Sequence, residues 1–170
     1  MIDALLNTLP QTGSLKWIGL RPGHREDMVV VPEATAEAGV GLQGDRYQNR
    51  KGGSGKRQVT LIQEEHLTAV ASMLGVERVV PELVRRNLLV SGINLLALKD
   101  RQFQIGDEVI FEWTGLCHPC SRMEEHLGAG GYNAMRGHGG ITARVIQGGI
   151  IKMGDPVKML AAATSGSSGH

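Results

Sequence analysis

The side chains best suited to chemistry in this sequence are its two cysteines, Cys117 and Cys120, which enclose His118 and Pro119. They follow a short apolar run and precede a glycine-rich segment, an arrangement that indicates thiols at the end of a β-strand. Arg122 lies just beyond Cys120, and a neighbouring cation is a common feature of reactive cysteines. We therefore expect the other elements of the chain to build a pocket around these thiols.

Four kinds of chemistry fit this spacing. A Cys-x-x-Cys pair can be a redox dithiol, although the glycine-rich β pattern of the chain argues against a thioredoxin-like fold. The two cysteines, with His118 and His126, could bind zinc, but zinc sites usually pair such a knuckle with a second one, which the sequence lacks. Cys120 could instead be a nucleophile, or a thiolate ligand to a soft metal held by a cofactor. Two small thiols in a hydrophobic core would need no chemistry at all.

Basic residues accompany glycines in residues 49–57, a segment that ends at Arg57. Backbone N–H groups together with Arg and Lys side chains can bind an anion such as phosphate, although a solvated hairpin tip has the same composition. Arg85 and Arg86 form a second basic pair, at the junction between a predicted helical turn and a strand. This pair is either surface charge or a bidentate anion site.

Length and composition indicate one soluble globular domain. The chain has 170 residues, of which 41% are hydrophobic and 21% charged, so it can bury a core. The net charge of +1 argues against broad nucleic-acid binding. No apolar run approaches the roughly 18 residues of a membrane span, and the N-terminus lacks the basic region of a signal peptide. Because two cysteines make no disulfide framework, we expect a cytoplasmic protein with free thiols.

Short Val-, Leu- and Ile-rich runs between Gly and Pro predict a mainly β fold. We expect a lead-in at residues 1–13, a single domain at residues 14–160 and a small polar tail, outside the fold, at residues 161–170. The predicted strands are residues 14–21, 28–31, 58–62, 87–92, 103–107, 109–113 and 141–146, and residues 150–160, which contain a Gly-Asp turn at 154–155, close the domain.

Helices are expected to be few. The clearest is residues 63–74, where apolar side chains at i, i+3, i+4 and i+7 form one face. A short helical turn is predicted at residues 81–86, with proline near its start. Residues 33–41 and the glycine-rich residues 127–140 are predicted to be loops, the second able to approach a ligand closely.

A series of short motifs, in order along most of the chain, resembles the MOSC domains, which are named after the C-terminal domain of molybdenum-cofactor sulfurases. Each motif alone is weak, but the ordered series is specific. The motifs are GDR at residues 44–46, RQVTLI at 57–62, RRNLLVSGIN at 85–94, IGD at 105–107, CHPC at 117–120, GITARV at 140–145 and MGD at 153–155.

The resemblance implies a bent, β-barrel-like fold with a few short helices and a site built around one cysteine. In family members that reduce N-hydroxylated compounds, that cysteine ligates the molybdenum of the pterin cofactor. In the sulfurases, the domain is thought to handle sulfur or the cofactor itself. Cys120 matches the family cysteine better than Cys117 does, because it closes the Pro-Cys element.

The resemblance also assigns expected roles to individual residues. Cys120 is the expected metal ligand and catalytic residue, and His118 is a possible proton donor. Arg85 and Asn87 match positions that neighbour the cofactor in related domains. Arg57 and Arg136 are further residues that we expect to contact the phosphate of the cofactor.

Two functions follow from these expectations. The first is a molybdenum-dependent reductase of N-hydroxylated substrates. The second is a carrier that holds the cofactor, or a persulfide on Cys120, and passes it to another enzyme. A domain without the aminotransferase-like part of the sulfurases is expected to need a protein that donates electrons or sulfur, and a small-molecule substrate. No nucleic-acid or membrane partner is expected.

Overall fold

The computed structural model describes residues 1–49 and 55–161. In it, short apolar runs form the strands, and turns that contain glycine connect them. The predicted basic loop at residues 49–57 and the predicted tail therefore lie partly outside the described residues. The strands are β1 (Gly13–Leu20), β2 (Val29–Val30), β3 (Glu33–Glu37), β4 (Gly41–Leu42), β5 (Val59–Gln63), β6 (Leu88–Ser91), β7 (Gln102–Ile105), β8 (Val109–Leu116), β9 (Ile141–Gln147), β10 (Gly149–Lys152) and β11 (Pro156–Met159).

The helices of the described residues are short. They are α1 (Ile2–Leu6), α2 (Glu64–Leu74), α3 (Pro81–Val84), α4 (Arg122–Leu127) and α5 (Gly131–Met135), with single 3₁₀ turns at Arg46–Asn49 and Leu95–Leu98. The longest helix, α2, begins with two glutamates and ends at Gly75, which has a φ of 69°. No helix in this part of the chain is both long and apolar enough to cross a membrane.

Seven strands close into a barrel, so the predicted mainly β, barrel-like fold is confirmed. Their order is β11-β7-β8-β9-β5-β6-β1, and β1 returns to β11 through the pair Gly13 and Val157. The β5–β6 pair is parallel, and α2 and α3 form the crossover between these two strands. Closure pairs the edges that an open sheet would expose.

Two hydrophobic clusters hold the elements together. The barrel interior contains stacked rings of Phe103 and Phe111, with centroids 5.4 Å apart. Outside the barrel, Leu67 and Val70 of α2 pack with Ile62 of β5 in the second cluster. Because β5 is covered on both faces, all five of its residues are buried.

Two predicted loops are wrong in part. Residues 33–41 begin with β3, which pairs antiparallel with β10 and buries Ala34 and Ala36. Alanine gives only a weak strand signal, so the alternation was missed. Residues 127–140 contain α5, where a side chain on Gly131 would lie 2.6 Å from the carbonyl oxygen of Met123. This glycine permits close packing of α5 on α4, which composition alone does not indicate.

Gly140 shows how the fold constrains the loop near the cysteines. Its φ is 89°, and an added Cβ would overlap the carbonyl oxygen of Leu61 on β5. We expect Gly140→Ala to lower the free energy of unfolding by about 2–3 kcal/mol in urea denaturation. Gly137→Ala is the matched control, because Gly137 has a similar φ of 81° but open space beside it. Equal losses in the two variants would refute the steric explanation.

Candidate functional site

The CHPC loop, residues 117–120, joins the end of β8 to the start of α4 at the barrel mouth. The backbone N–H of Cys117 donates to the carbonyl oxygen of Gly140 at 2.8 Å, which extends the pairing of β8 with β9. The N–H of Met123 in α4 donates to the carbonyl oxygen of Cys120 at 2.9 Å. Cys117 is buried and Cys120 is exposed, and both are free thiols, so only Cys120 is open to an external group.

Two arginines lie beside the buried thiol. Nη2 of Arg57 is 3.8 Å from Sγ of Cys117. Arg86 is buried, and its guanidinium donates to the carbonyl oxygens of Gly139 at 2.8 Å and Val84 at 2.8 Å. Burial lowers the pKa of Arg86, an effect that the neighbouring Cys117 and Cys120 oppose. Within the described residues no carboxylate forms a salt bridge with Arg86, and its guanidinium is instead hydrogen-bonded to backbone carbonyl oxygens.

A basic cluster, defined here as Arg21, His24, Arg46, Arg85 and Arg122, lies near the CHPC loop. Nδ1 of His24 is 3.2 Å from Arg46, and Nε2 is 3.2 Å from Arg122. Desolvation and the surrounding arginines, Arg122 first, lower the pKa of His24. A neutral imidazole adds no further charge to the cluster, and the positive charge of its arginines attracts an anion.

Arg85 has two features of a binding residue. Its φ is 55°, a left-handed conformation that is strained for a residue other than glycine. Nη1 donates to the carbonyl oxygen of Glu26 at 2.5 Å, whereas the buried Nη2 has no hydrogen-bond partner among the described residues. Burial and the nearby Arg21, Arg122 and Arg46 lower the pKa of Arg85. An unsatisfied buried donor costs about 1–3 kcal/mol, which an acceptor on a ligand would offset.

The cluster opens into a cleft of about 470 Å³, within the range of small-molecule sites. Arg25, Arg85 and Arg122 contribute the arginines of its wall. Carboxylates are also present, so the cleft has both signs of charge. Its other lining residues are Asp27, Met28, Glu82, Leu83, Glu125 and His126.

Buried polar groups form hydrogen bonds that hold Arg21 of the basic cluster in position. The carboxylate of Asp45 accepts from Arg21 at 3.0 Å and from Nδ2 of Asn87 at 3.0 Å. Asn87 also donates to the carbonyl oxygen of Gly19 at 3.0 Å and accepts from the N–H of Thr60 at 3.0 Å. Both amide hydrogens of Asn87 are therefore used within the protein. The structure favours a positioning role for Asn87, and its direct contact with a cofactor stays a prediction.

The predicted site residues are only partly brought together. Arg57 lies at the buried cysteine, and Arg85 lies in the basic cluster. His118 is exposed and lines an apolar pocket beside Cys117. Arg136 is exposed after α5, and in residues 1–49 and 55–161 no side-chain hydrogen bond links it to the cluster. Its contact with phosphate stays a prediction.

The zinc interpretation gains no geometric support. No group of three or more His, Cys, Asp or Glu side chains in the described part of the chain could hold a metal ion. His126, one of the four proposed ligands, instead places Nδ1 2.8 Å from the carbonyl oxygen of Leu83. It lines the arginine cleft rather than the space around the thiols.

Sequence reasoning missed Arg21, His24 and Arg46 as members of the site. Arg46 and its neighbour Asp45 belong to the GDR motif, so a signal for them existed. Arg21 and His24 sit around a Pro-Gly turn that indicated only a change of chain direction. Their role becomes visible once Asp45 and Arg122 are seen to lie beside them.

The closed barrel with the CHPC loop at its mouth is the fold expected of a MOSC domain, and the comparison of the sequence with family models agrees with it. The model of the MOSC domain family matches residues 48–158, so this chain belongs to that family. The family is associated with binding of the molybdenum cofactor. No curated relative matches the sequence.

Solved structures show the same fold at low sequence identity. The YuaD protein from Bacillus subtilis superposes with a TM-score of 0.79 and 18% identity, covering 91% of this chain and 100% of that one. YiiM from Escherichia coli has a TM-score of 0.66 and 17% identity, over 88% of this chain and 71% of that one. YiiM from Geobacillus stearothermophilus gives 0.66 and 17%, over 87% and 75%.

Proposed function

We propose that this domain binds the molybdenum pterin cofactor through Cys120 and reduces N-hydroxylated substrates. The observation that carries the proposal is the pairing of an exposed thiol with a nearby basic cluster whose Arg85 has a buried, unpartnered donor. The donor set fits the group: a thiolate suits a soft metal, and arginines suit a phosphate. When bound, the cofactor supplies a metal centre that passes electrons to the substrate.

Different residues of the chain would bind the metal, bind the phosphate and donate a proton. Cys120 holds the metal, and Nη2 of Arg85 donates to phosphate together with Arg122. Reduction of a hydroxylamine to an amine consumes two electrons and two protons and releases water. His118, exposed in the CHPC loop and lining the apolar pocket beside Cys117, donates a proton to the departing hydroxyl oxygen. The electrons come from a donor protein, and the proposed location is the cytoplasm.

A second function, sulfur or cofactor transfer, is favoured by one observation. Cys120 is exposed, so its sulfur could accept the outer sulfur atom of a partner protein's persulfide, which forms a persulfide on Cys120 and releases the partner's cysteine as a thiol. In that case the domain would carry sulfur without turnover. Arg57 and Arg86, beside the neighbouring Cys117, would contribute positive charge to the same loop.

Turnover separates the two functions. Protein loaded with cofactor in a host that makes it is mixed with 6-hydroxylaminopurine and a chemically reduced viologen. The reductase proposal expects many molecules of adenine per molybdenum. Conversion that stops at stoichiometric product, with a sulfur mass increment on Cys120 after incubation with a cysteine desulfurase, would replace it with the carrier proposal.

The basic cluster is tested with inorganic phosphate. Because a charge-assisted hydrogen bond contributes about 1.5–3 kcal/mol, we expect Arg85→Ala to weaken phosphate binding roughly ten-fold or more in calorimetry. Arg122→Ala should weaken it similarly, and the exposed Arg78→Ala, away from the cluster, should not. Unchanged affinity in both cluster variants would contradict a phosphate site there.

A further inference from the structure

A second pocket adjoins the CHPC loop and differs in chemistry from the arginine cleft. Its volume is about 360 Å³, and Cys117, His118 and Pro119 form one wall. None of its lining residues also lines the arginine cleft. The loop that carries the predicted metal ligand therefore borders a separate space for another molecule.

The walls of this pocket suit a flat, uncharged ligand. Leu96, Trp113 and Leu116 supply apolar surface, and Lys99 and His118 are the lining residues with titratable side chains other than Cys117. The lining also includes glycine backbone. A side chain on Gly139 would overlap the carbonyl oxygen of Cys117, so this wall remains bare peptide. A planar ring can lie against such a surface, whereas a charged group would lose hydration there.

Trp113 lines this pocket and carries an unused hydrogen-bond donor. Its Nε1 is buried and has no partner among the described residues. An indole nitrogen can only donate, and buried indoles usually find an acceptor. The Trp113 ring also borders a polar cleft that contains Asp100 and Glu112, so a test must tell the two sides apart.

We infer that the apolar pocket receives an uncharged, planar heteroaromatic ring with an acceptor atom for Nε1–H of Trp113. The inference rests on the proposed function, in which this ring carries the N-hydroxyl group to be reduced. Trp113 then determines specificity: rings with an acceptor at its edge are held, and purely apolar rings of the same shape are held less well. The leaving oxygen would lie toward the CHPC loop, which forms one wall of the pocket.

Metal-free protein and two small probes test this inference. Benzimidazole has a ring acceptor, and indole has nearly the same shape without one. The chain has two tryptophans, Trp17 and Trp113, so a ¹H–¹⁵N spectrum contains two indole signals that Trp113→Phe assigns. We expect benzimidazole to shift the Trp113 signal and to bind about five-fold more tightly than indole, the ratio that a hydrogen bond worth about 1 kcal/mol supplies.

Three variants locate the probe. Trp113→Phe should reduce benzimidazole affinity to the level of indole, and Leu116→Glu should abolish binding of both by placing charge in the apolar pocket. Leu116 is 48% exposed, so this change should leave the fold intact. Asp100→Asn, in the polar cleft, should change nothing, because asparagine tolerates the φ of 60° found there.

Equal affinities for the two probes, or a Trp113 signal that moves less than the Trp17 signal, would overturn the inference. Loss of binding in Asp100→Asn but not in Leu116→Glu would also overturn it, by placing the probe in the polar cleft. Since no cofactor is present, failure here is distinct from failure of the proposed function, which is read in metal and pterin content.

Discussion

A Cys120→Ser variant is expected to lose molybdenum and pterin together, while Cys117→Ser keeps most of both. A serine hydroxyl is a poor ligand for a soft metal, and only Cys120 is exposed at the mouth of the barrel. Cys117 is buried with Arg57 at its sulfur, a position from which it supports the loop. The measurement is metal content by elemental analysis and pterin content by fluorescence of its oxidised form.

Cys117→Ser is also the matched control, because it makes the same chemical change three positions away in one loop. Thermal unfolding of each variant establishes that loss of cofactor is not loss of fold. Equal losses in both variants would favour a shared dithiol or zinc site instead. Loss confined to Cys117→Ser would move the ligand to the buried thiol.

Asp45→Asn is expected to lower the free energy of unfolding by about 3 kcal/mol near neutral pH, because it leaves Arg21 without its carboxylate partner. The side chain of Asp45 is fully buried and that of Arg21 is 17% exposed. An asparagine amide also keeps only one acceptor oxygen, so its NH₂ group would face either the backbone N–H of Arg21, which now donates to Oδ1, or that of Tyr47, which now donates to Oδ2. Urea unfolding monitored by circular dichroism measures the change.

The same pair predicts how stability depends on pH. Burial opposes ionisation of Asp45, but hydrogen bonds and charge from Arg21 prevail and hold the pKa of the carboxyl below its usual value. Its contribution is therefore complete above the ordinary pKa of about 4 and is lost as pH falls through the lower, folded-state pKa. The wild-type protein should lose stability over this acid range more steeply than Asp45→Asn.

Glu112→Gln supplies the control for this pair. Glu112 accepts from Arg144 at 2.8 Å, but the two side chains are 33% and 41% exposed. A solvated pair of this kind contributes less than about 1 kcal/mol. If Glu112→Gln and Asp45→Asn destabilised the protein equally, burial of the Asp45 carboxylate would not explain its effect.

The barrel was predictable because its strands are apolar runs bounded by glycine, and α2 because its apolar face repeats at helical spacing. Local pattern did not reveal β3, whose buried positions are alanines. It also did not reveal α5, because Gly131 indicated a flexible loop. The need for glycine there arises from the close approach of α4, a contact that only the folded chain creates.

The site was predictable to the extent that its residues lie in short motifs. The CHPC loop and Arg85 carry recognisable patterns, whereas His24 gains meaning only from Arg46 and Arg122, which are distant in sequence. The burial of Cys117 against the exposure of Cys120 was equally beyond local inference, since both are cysteines in one loop. Tertiary contacts decide which polar groups are used internally, as for Asn87, and which remain available, as for Arg85.

The metal and pterin content of the purified protein is the most direct test of whether this MOSC domain holds the molybdenum pterin cofactor. The wild-type protein is purified anaerobically from a host that makes the cofactor, with Cys120→Ala prepared in parallel. We expect equimolar molybdenum and pterin in the wild-type protein and neither in the variant. A folded wild-type protein that contains neither molybdenum nor pterin under these conditions would show that the domain does not hold this cofactor.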